Sequence, residues 1–428
     1  MTRARVTLTD VAFGGEAIGR LDGRVVFVPF GLPGEEVEIE LTEERRDFAR
    51  GEIVEMVSAS TDRVEPRCQY FGACGGCAWQ HAAYPAQLAL KRQVVADQLR
   101  RIGGIAEADS LVQPPIGMLD PWNYRNQTRF AFGRRYGELC FTRRGTHRMI
   151  GIEACDIAQA PINAQLSALQ RRLPGKKLHQ VVIRSSINTG QTLVNPALPE
   201  SPEIASGQPT IEEEILNRRF RVAADAFFQV NTRREPRDLP ATIRAARAPL
   251  PAAGLSMADL LGLLVLDRLD PRASDVALDL YCGVGVFASL LAPLVNRVIG
   301  VEESKPAIRD ARHNCTDLPN VSFVAGKSEH ILATLDEQPT AVVLDPARVG
   351  CAPDVLQALL RLRPERLVYV SCDPATLARD LRLLLDGGYQ LQDVQPLDMF
   401  PQTYHVECVA TLTDGRDVTV FDATQDSR

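Results

Sequence analysis

The C-terminal part of the sequence alternates between strand-like and helix-like segments, and this alternation constrains the fold more than any other feature. The strand-like runs include VALDLYC, RVIGVE, VSFVAG, AVVLDPA and RLVYVSC, and helix-like segments separate most of them. Two further runs, QLQDVQPL and HVECVATLT, follow one another without a helix between them. Such a pattern predicts an α/β domain with a parallel, doubly wound sheet that two additional strands complete.

The N-terminal part of the chain has a different pattern. The runs VTLTDVAF, GRVVFVPF, EVEIELTE and RGEIVEMV are separated by turns rich in glycine and proline, which predicts a small closed β-barrel over residues 1–60. We assign residues 61–225 to a central unit and residues 226–428 to the α/β domain. Residues 231–257 lack apolar periodicity and are predicted to form a long connection before a helix.

Three cysteines, Cys68, Cys74 and Cys77, lie close together in CQYFGACGGC. The chain begins without a secretion signal, and its longest apolar run, LLGLLVL, is too short to span a bilayer, so we predict a cytoplasmic protein. Ten cysteines in 428 residues are too few for a disulfide scaffold, and thiols stay reduced in that compartment. The cluster therefore indicates a metal site, either a four-cysteine zinc or an iron–sulfur cluster, which the spacing alone does not distinguish.

A glycine-containing turn in LDLYCGVGVF follows the first strand of the α/β domain and allows a ligand to approach the backbone closely. Glu302 ends the following strand, where it can accept hydrogen bonds from ribose hydroxyls. The absence of a full GxGxxG motif and of a GK[ST] motif disfavours dinucleotides and nucleoside triphosphates. S-adenosylmethionine is therefore the cofactor that the pattern favours.

Cys372, in VYVSCDPATLARD, follows a strand and is predicted to lie at the same sheet edge as this turn. A cysteine in that position is either a nucleophile or a small packing residue, and the polar Ser-Cys-Asp-Pro context favours the nucleophile.

The stretch Trp122–Gly151 contains seven arginines and one acid, interleaved with aromatic residues. It suits RNA, although a strand surface with its aromatics facing a core has the same composition. The overall net charge of −6 does not indicate a nucleic-acid partner by itself.

These motifs resemble, in order and over nearly the whole chain, those of the S-adenosylmethionine-dependent RNA uracil-5-methyltransferases, including the iron–sulfur ribosomal RNA enzymes of the RumA type. VPFGLPGEEVEIEL is similar to the TRAM barrel, CQYFGACGGC to the iron–sulfur loop, and FFQVN, LDLYCGVG, LDPARVG, SCDPATLARD and MFPQTYHVE to catalytic segments. The resemblance implies an RNA-binding TRAM barrel, a central α+β domain with a [4Fe–4S] cluster, and a Rossmann-like methyltransferase domain. It also implies that a helical piece at 81–109 packs on the catalytic domain.

The resemblance further implies roles for individual residues. Cys372 would add to carbon-6 of uracil and thereby activate carbon-5, and Glu407 would remove the carbon-5 proton after methylation. The residues implied to bind S-adenosylmethionine are Gln229, Tyr281, Glu302 and Asp345. The residues implied to bind the cluster are Cys68, Cys74, Cys77 and Cys155, and the remaining five cysteines other than Cys372 are assigned to packing.

Two positions depart from the family's pattern. Asp373 follows the nucleophile where many relatives have asparagine, and Val286 follows the glycine turn where some relatives have an asparagine that contacts the cofactor. The expected partner is large-subunit ribosomal RNA, bound partly through Trp122–Gly151, and we expect a monomer without membrane contact. The alternatives are a uridine in the transfer-RNA T-loop as substrate and, in another functional class, a non-catalytic RNA-binding iron–sulfur sensor.

Overall fold

The computed structural model of the chain describes residues 2–133, 137–172, 178–199 and 201–415. Within these ranges no helix combines the length and the apolar character needed to cross a membrane. The strands are β1 (Arg3–Val11), β2 (Ala17–Leu21), β3 (Arg24–Val28), β4 (Glu36–Glu44), β5 (Phe48–Ser58), β6 (Gln127–Gly133), β7 (Glu138–Thr142), β8 (Met149–Gly151), β9 (Gln180–Ser186), β10 (Gln191–Asn195), β11 (Thr210–Ile215), β12 (Arg218–Ala223), β13 (Val276–Leu280), β14 (Arg297–Glu302), β15 (Val321–Ala325), β16 (Ala341–Leu344), β17 (Arg366–Ser371), β18 (Tyr389–Leu397) and β19 (Glu407–Asp414). The helices are α1 (Tyr84–Arg101), α2 (Ala108–Leu111), α3 (Ala160–Leu169), α4 (Met257–Leu269), α5 (Val286–Leu291), α6 (Lys305–Asn314), α7 (Ser328–Ala333), α8 (Pro353–Leu362) and α9 (Pro374–Asp386).

The N-terminal strands form a closed barrel in the order β1-β2-β3-β5-β4, which confirms the predicted barrel. Alternate residues such as Val6, Leu8 and Val26 point inward and are buried, as the period of two in a strand requires. Gly19 lies where β1 and β2 cross closely, because an added Cβ there would be 2.3 Å from Cγ1 of Val6. The interior of the barrel is thus filled by side chains.

The central unit contains an antiparallel sheet in the order β10-β9-β6-β7-β8, and α3 packs on one face of it. Phe130, Leu139 and Ile183 from the sheet share a core with Ile162 and Leu166 from α3. The loop that carries the clustered cysteines lies beside β7. There the backbone of Cys74 forms an isolated β-bridge with that of Arg143.

The C-terminal sheet has the order β15-β14-β13-β16-β17-β19-β18. The strands from β15 to β17 are parallel and two further strands complete the sheet, as the alternation pattern predicts. The structure adds that β19 runs antiparallel to both β17 and β18. Strands β16 and β17 are buried along their whole length because helices cover both faces. A capping box between Ser256 and Asp259 starts α4, which ends the predicted connection.

Two segments that precede residue 226 contribute to the core of this C-terminal unit. Val95 and Leu99 of α1 share an apolar cluster with Leu381 of α9. The hairpin of β11 and β12 places Phe220 in the cluster that contains Leu260 of α4. The polypeptide that leaves the cysteine loop therefore packs against the helical layer of the C-terminal unit.

Candidate functional site

Four residues singled out from the sequence lie at one edge of the C-terminal sheet. Tyr281 follows β13, Glu302 ends β14, Asp345 follows β16 and Cys372 follows β17. Because these strands are parallel, their carboxyl ends meet at the same edge, where ligands bind in open α/β sheets. The strand order therefore brings together residues that are spread over more than ninety positions of the sequence.

Glu407 reaches this edge by a different route, since it begins β19, the antiparallel neighbour of β17. Ser371 is opposite Cys408 in the ladder, so the next pair along the same register is Cys372 and Glu407. Directly opposite residues in an antiparallel pair have their Cβ atoms about 4.5–5.5 Å apart. Glu407 is buried and Cys372 is half-buried, so the thiol is the more accessible member of the pair.

Burial and the neighbouring charges favour the protonated forms of both Cys372 and Glu407. Burial, together with the neighbouring Glu407 and Asp345, raises the pKa of the Cys372 thiol to about 12, and Arg348 opposes this increase. Burial also raises the pKa of Glu407 well above its ordinary value, and Asp345 adds to this effect. Burial raises the pKa of Asp345 to about 7. Two neighbouring carboxyl groups in a buried site share protons because both cannot ionise cheaply.

Arg348 is one of two residues of this site that were not predicted from the sequence. It lies three positions after Asp345 in LDPARVG, and its positive charge opposes the increase that burial causes in the pKa values of both Cys372 and Glu407. Its Nη2 atom is 3.5 Å from Nε2 of His405. The sequence signal for Arg348 was its place in the same motif as Asp345, but only the acid was assigned a role. A guanidinium in this position favours the thiolate that a nucleophile requires.

The glycine turn and Glu302 form a cradle beside this site. The Glu302 carboxylate accepts hydrogen bonds from the Gly283 amide at 3.1 Å and from the Ser304 amide at 2.7 Å. Gly285 has a φ of 84°, and an added Cβ would lie 3.1 Å from Cζ of Phe323, so any side chain there would be strained. The carboxylate is therefore held in a fixed orientation next to backbone that a ligand can approach.

Asp279, in the same motif, was also missed. It is fully buried, and its Oδ2 accepts a hydrogen bond from the Ala288 amide at 2.8 Å at the start of α5. Its Oδ1 has no partner among the described residues, and burial raises its pKa to about 8. A buried carboxyl oxygen without a partner fits a donor from a bound ligand, so the donor set here suits a nucleoside-containing cofactor such as S-adenosylmethionine.

The other two residues expected to bind the cofactor lie in different surroundings. Tyr281 adopts a φ of 65°, its ring packs on the core beneath the sheet, and its hydroxyl lies near Cys351 and Ser328. Gln229 is half-buried, and its backbone carbonyl oxygen accepts a hydrogen bond from Nδ2 of Asn126 at 2.9 Å. The backbone of Tyr281 therefore lies at the turn, whereas Gln229 belongs to a loop that is tied to β6.

The two positions that depart from the family pattern have ordinary structural roles. The Asp373 side chain accepts hydrogen bonds from the amides of Ala375 and Thr376, both at 3.0 Å, and so caps α9. Asparagine caps helices about as well as aspartate does, so this exchange preserves the start of α9 behind Cys372. Val286 is the first residue of α5 and packs against the apolar core.

The four clustered cysteines line one cavity of about 650 Å³, together with Arg125 and residues of β7 and the following loop; they are Cys68, Cys74, Cys77 and Cys155. The amide of Gly76 donates a hydrogen bond to Sγ of Cys74 at 3.4 Å. Burial raises the pKa of Cys77 to about 12, and Arg125 opposes this increase. Across the described ranges, no three His, Cys, Asp or Glu side chains are grouped as a single metal ion requires.

The donor set of this cavity nevertheless suits a cluster of several metal ions. The Gly76 amide donates to Sγ of Cys74, and Arg125 opposes the increase that burial causes in the pKa of Cys155. Amide donors and a nearby cation are the groups that stabilise the negative charge of thiolate-bound clusters. The five cysteines assigned to packing are all buried, namely Cys140, Cys282, Cys315, Cys351 and Cys408.

The arginine-rich stretch Trp122–Gly151 has aromatic residues that face a core and arginines that mostly face outward. Its aromatic residues Tyr124, Phe130 and Phe132 are buried in the core, as a plain strand surface requires. Its arginines lie mostly outward: Arg129, Arg143 and Arg148 are exposed, whereas Arg134 and Arg135 lie outside the described residues. The outward face is therefore basic and continuous with the rim of the cysteine cavity, which Arg143 and Arg144 line.

The raised pKa of Glu407 leads to a prediction about stability. The folded protein holds this proton at pH values where an unfolded glutamic acid has lost it, so the free energy of unfolding falls as pH rises above about 4.5. Glu407→Gln removes this linkage, and we expect its melting temperature to exceed that of the wild type by a margin that grows with pH. Thermal unfolding between about pH 5 and pH 9 tests this, with the exposed Glu303→Gln as control for lost charge. A margin that is constant or shrinks with pH would contradict it.

Comparisons with known proteins bear on both ends of the chain. A family profile described as tRNA (Uracil-5-)-methyltransferase matches residues 260–414, and a TRAM domain profile matches residues 2–54. An RNA methyltransferase of Thermosynechococcus vestitus is 34% identical over 461 aligned residues, which cover 95% of this chain and 97% of the relative. An RNA methyltransferase of Gloeobacter violaceus is 35% identical, with 95% of each chain covered.

A solved structure has a similar fold over the whole chain. The tRNA (uracil-54, C5)-methyltransferase of Pyrococcus abyssi, in complex with S-adenosyl-L-homocysteine, superposes with a TM-score of 0.70 at 23% identity. The match covers 96% of this chain and 100% of that chain. At this level of identity the likeness concerns the fold, which agrees with the predicted barrel and Rossmann-like sheet.

Proposed function

The chain belongs to the family of RNA uracil-5-methyltransferases, which depend on S-adenosylmethionine, and from this premise we propose that it methylates carbon-5 of a uridine in large-subunit ribosomal RNA. The observation that supports this most directly is the register of β17 and β19, in which Ser371 lies opposite Cys408, so that the next residues, Cys372 and Glu407, come together at the sheet edge. The proposed enzyme works in the cytoplasm as a monomer, and its ten cysteines, none of which is in a disulfide, suit a reducing compartment.

Cys372 is the proposed nucleophile. Carbon-5 of uracil reacts poorly with an alkylating group, but addition of a thiolate to carbon-6 gives an enolate whose carbon-5 carries electron density. Arg348 promotes this step by favouring the thiolate over the thiol. The exposed position of Cys372 relative to Glu407 leaves the sulfur accessible to a base that has been turned out of its stack.

The residues around the glycine turn are proposed to hold the cofactor, which supplies an electrophilic methyl group when bound. Glu302 is oriented by the Gly283 and Ser304 amides to accept hydrogen bonds from ribose hydroxyls. Asp279 offers a buried oxygen without a partner among the described residues. Asp345 lies between this cradle and Cys372, and Tyr281 and Gln229 complete the proposed set.

Glu407 is the proposed base. After methyl transfer carbon-5 carries both the methyl group and a proton, and removal of that proton allows the bond between carbon-6 and sulfur to break, which restores the thiolate. Glu407 can accept the proton only as a carboxylate. Because its pKa is raised by burial and by Asp345, the ionised form gains population as pH rises, so turnover should also rise with pH.

RNA contact is proposed for the barrel and for the basic outer face of Trp122–Gly151. Two exposed apolar side chains flank the site residues: Phe227, 68% exposed, lies two positions before Gln229, and Val349, 75% exposed, directly follows Arg348. Apolar and aromatic surfaces of this kind support unpaired bases by stacking and contact. Guanidinium groups around them would bind the phosphates.

The substrate can be identified with radiolabelled S-adenosylmethionine and unmodified ribosomal and transfer-RNA transcripts, followed by nuclease digestion and mass spectrometry of labelled 5-methyluridine. Label confined to large-subunit ribosomal RNA would support the proposal. The structural neighbour from P. abyssi acts on a transfer RNA, so a T-loop uridine is the second candidate. No label in either RNA would favour a non-catalytic iron–sulfur sensor.

We further propose that Cys68, Cys74, Cys77 and Cys155 hold a [4Fe–4S] cluster that stabilises the central unit. The four thiols line one cavity with Arg125, and the Gly76 amide donates a hydrogen bond to Sγ of Cys74. Since Cys155 is far from the other three in sequence, the cluster would join the loop 68–77 to the segment before α3. Its proposed role is structural rather than redox.

We expect an anaerobic preparation to be brown and to contain about four iron and four sulfide per chain. Cys155→Ser should lose most of the iron and lower the melting temperature by several degrees, because the cross-link between two segments is lost. Metal analysis and thermal unfolding are the measurements, and the buried Cys140→Ser is the matched control that should retain its iron. Stoichiometric zinc without sulfide would contradict the cluster.

A further inference from the structure

The loop between β18 and β19, residues 398–406, delivers Glu407 to the proposed active site. His405 in this loop lies next to Arg348 and two positions before Glu407. We call residues 398–406 the base loop. It is a short irregular segment, and because Glu407 is the first residue of β19, the groups that hold the loop also restrict this end of the strand.

The start of the base loop is held by an ion pair with α1. Lys91 and Asp398 are both completely buried, and Nζ of Lys91 is 2.5 Å from Oδ1 of Asp398. Lys91 also donates to the carbonyl oxygen of Phe400 at 3.1 Å, while Asp398 accepts from the Phe400 amide at 3.2 Å. One lysine thus closes a turn at the start of the loop. Desolvating such a pair is costly, so it is weak evidence for stability and better explained by the geometry that it specifies.

The middle of the base loop is held by a second side chain of α1. Nε2 of Gln87 donates to Oε1 of Gln402 at 3.0 Å, and the backbone amide of Gln402 donates to Oε1 of Gln87 at 3.0 Å. Gln402 has a φ of 69°, a left-handed conformation that residues other than glycine adopt rarely. The amides of Ala78 and Trp79 both donate to its carbonyl oxygen at 3.0 Å. An unfavourable backbone conformation is therefore maintained by contacts from outside the loop.

These contacts all come from the segment that follows the cysteine loop. Gln87 and Lys91 are one helical turn apart on α1, on the face that is buried against the C-terminal unit. Tyr124, which precedes β6, adds a hydrogen bond from its hydroxyl to the Pro401 carbonyl oxygen at 3.0 Å. None of these side chains lies in the ladder of Cys372 and Glu407, so they act on the site through the loop.

We propose that Lys91 and Gln87 are positioning residues, which hold the base loop in the conformation that places Glu407 and His405 beside Cys372. The inference rests on the proposed function. It assigns the α1 face a role in the reaction rather than in stability alone. A loop released from α1 would leave the nucleophile on β17 and the cofactor cradle intact, and would displace the base and its neighbour His405.

The test uses full-length Lys91→Met and Gln87→Met with the RNA substrate identified above. We expect kcat to fall about 100-fold for Lys91→Met, since a displacement of roughly 1 Å can cost this much, whereas KM for S-adenosylmethionine stays within about twofold. The covalent adduct between Cys372 and RNA should still form, and it should decay more slowly than in the wild type. For Gln87→Met we expect a smaller fall in kcat, about tenfold, because Lys91 still closes the first turn.

A matched control separates positioning from stability. Arg366 and Asp275 form another buried ion pair, 2.6 Å apart, at the opposite end of β17 from Cys372. Arg366→Met should lower the melting temperature as Lys91→Met does, yet retain the wild-type adduct lifetime at temperatures where both proteins are folded. If Lys91→Met fails to fold, the uncharged Gln87→Met decides by the same measurements.

Three results would overturn the inference. The first is wild-type kcat and adduct lifetime in folded Lys91→Met and Gln87→Met. The second is an equal loss of turnover in Arg366→Met, which would reduce Lys91 to a structural residue. The third is a wild type that forms neither adduct nor 5-methyluridine, which would overturn the proposed function and the inference with it.

Discussion

Replacement of Cys372 by alanine is expected to abolish methyl transfer. The change removes the sulfur that adds to carbon-6 and leaves carbon-5 without the electron density that it needs, so we expect the rate to fall by at least about 10⁴-fold. The variant should fold normally, because Cys372 follows the end of β17 and the helix behind it is capped by Asp373. The measurements are label transfer from S-adenosylmethionine to RNA and a denaturing gel that detects the protein–RNA adduct.

The matched control for this variant is Cys408→Ala. Cys408 lies next to Glu407 on β19 and opposite Ser371, but its side chain is buried in the apolar core. We expect this variant to lose some stability and to retain the adduct. An adduct that persists in Cys372→Ala would mean that another residue is the nucleophile, and a rate equal to that of the wild type would remove covalent catalysis from the proposal.

Glu407→Gln is expected to trap the reaction after methyl transfer. Glutamine has nearly the same shape as glutamate but cannot accept the carbon-5 proton, so the bond between carbon-6 and Cys372 cannot break. We expect multiple turnover to fall by about 10²- to 10⁴-fold. A single methyl transfer should proceed, so that label from S-adenosylmethionine accumulates in a protein–RNA band that resists denaturant.

Two further variants sharpen this experiment. Glu303→Gln, an exposed acid at the same sheet edge, should behave like the wild type. Asp345→Asn tests the neighbouring member of the carboxyl pair, whose pKa lies at about 7. Turnover without any adduct in Glu407→Gln would deny Glu407 its role, and a labelled adduct that accumulates only in Asp345→Asn would transfer the role of base to Asp345.

Much of the fold could be read from the sequence because local patterns determine it. The barrel follows from short alternating strands between glycine-rich turns, and the parallel sheet follows from the regular exchange of strand and helix. The positions of Glu302, Asp345 and Cys372 also follow, since any residue at the carboxyl end of a parallel strand reaches the same edge of the sheet. The family resemblance, which the comparisons confirm, supplied what pattern alone could not, namely the expected role of Glu407.

The remaining features of the site depend on contacts that no local pattern encodes. The register of β19 against β17, which sets Glu407 opposite Cys372, depends on how an antiparallel strand packs rather than on its own sequence. Arg348 acquires its role by lying near Cys372 and His405 in space. Lys91 and Asp398 are 307 positions apart, and each alone looks like an ordinary surface charge.

The sequence by itself therefore determined the order and type of the elements, the edge at which the chemistry is placed, and the residue types available there. The tertiary structure alone decided which of these groups touch, how burial shifts their pKa values, and which distant helix holds the base loop. The physical reason is that secondary structure and strand ends follow from interactions between near neighbours in the chain. Proton affinities and loop positions follow from desolvation and from partners that only the folded chain brings together.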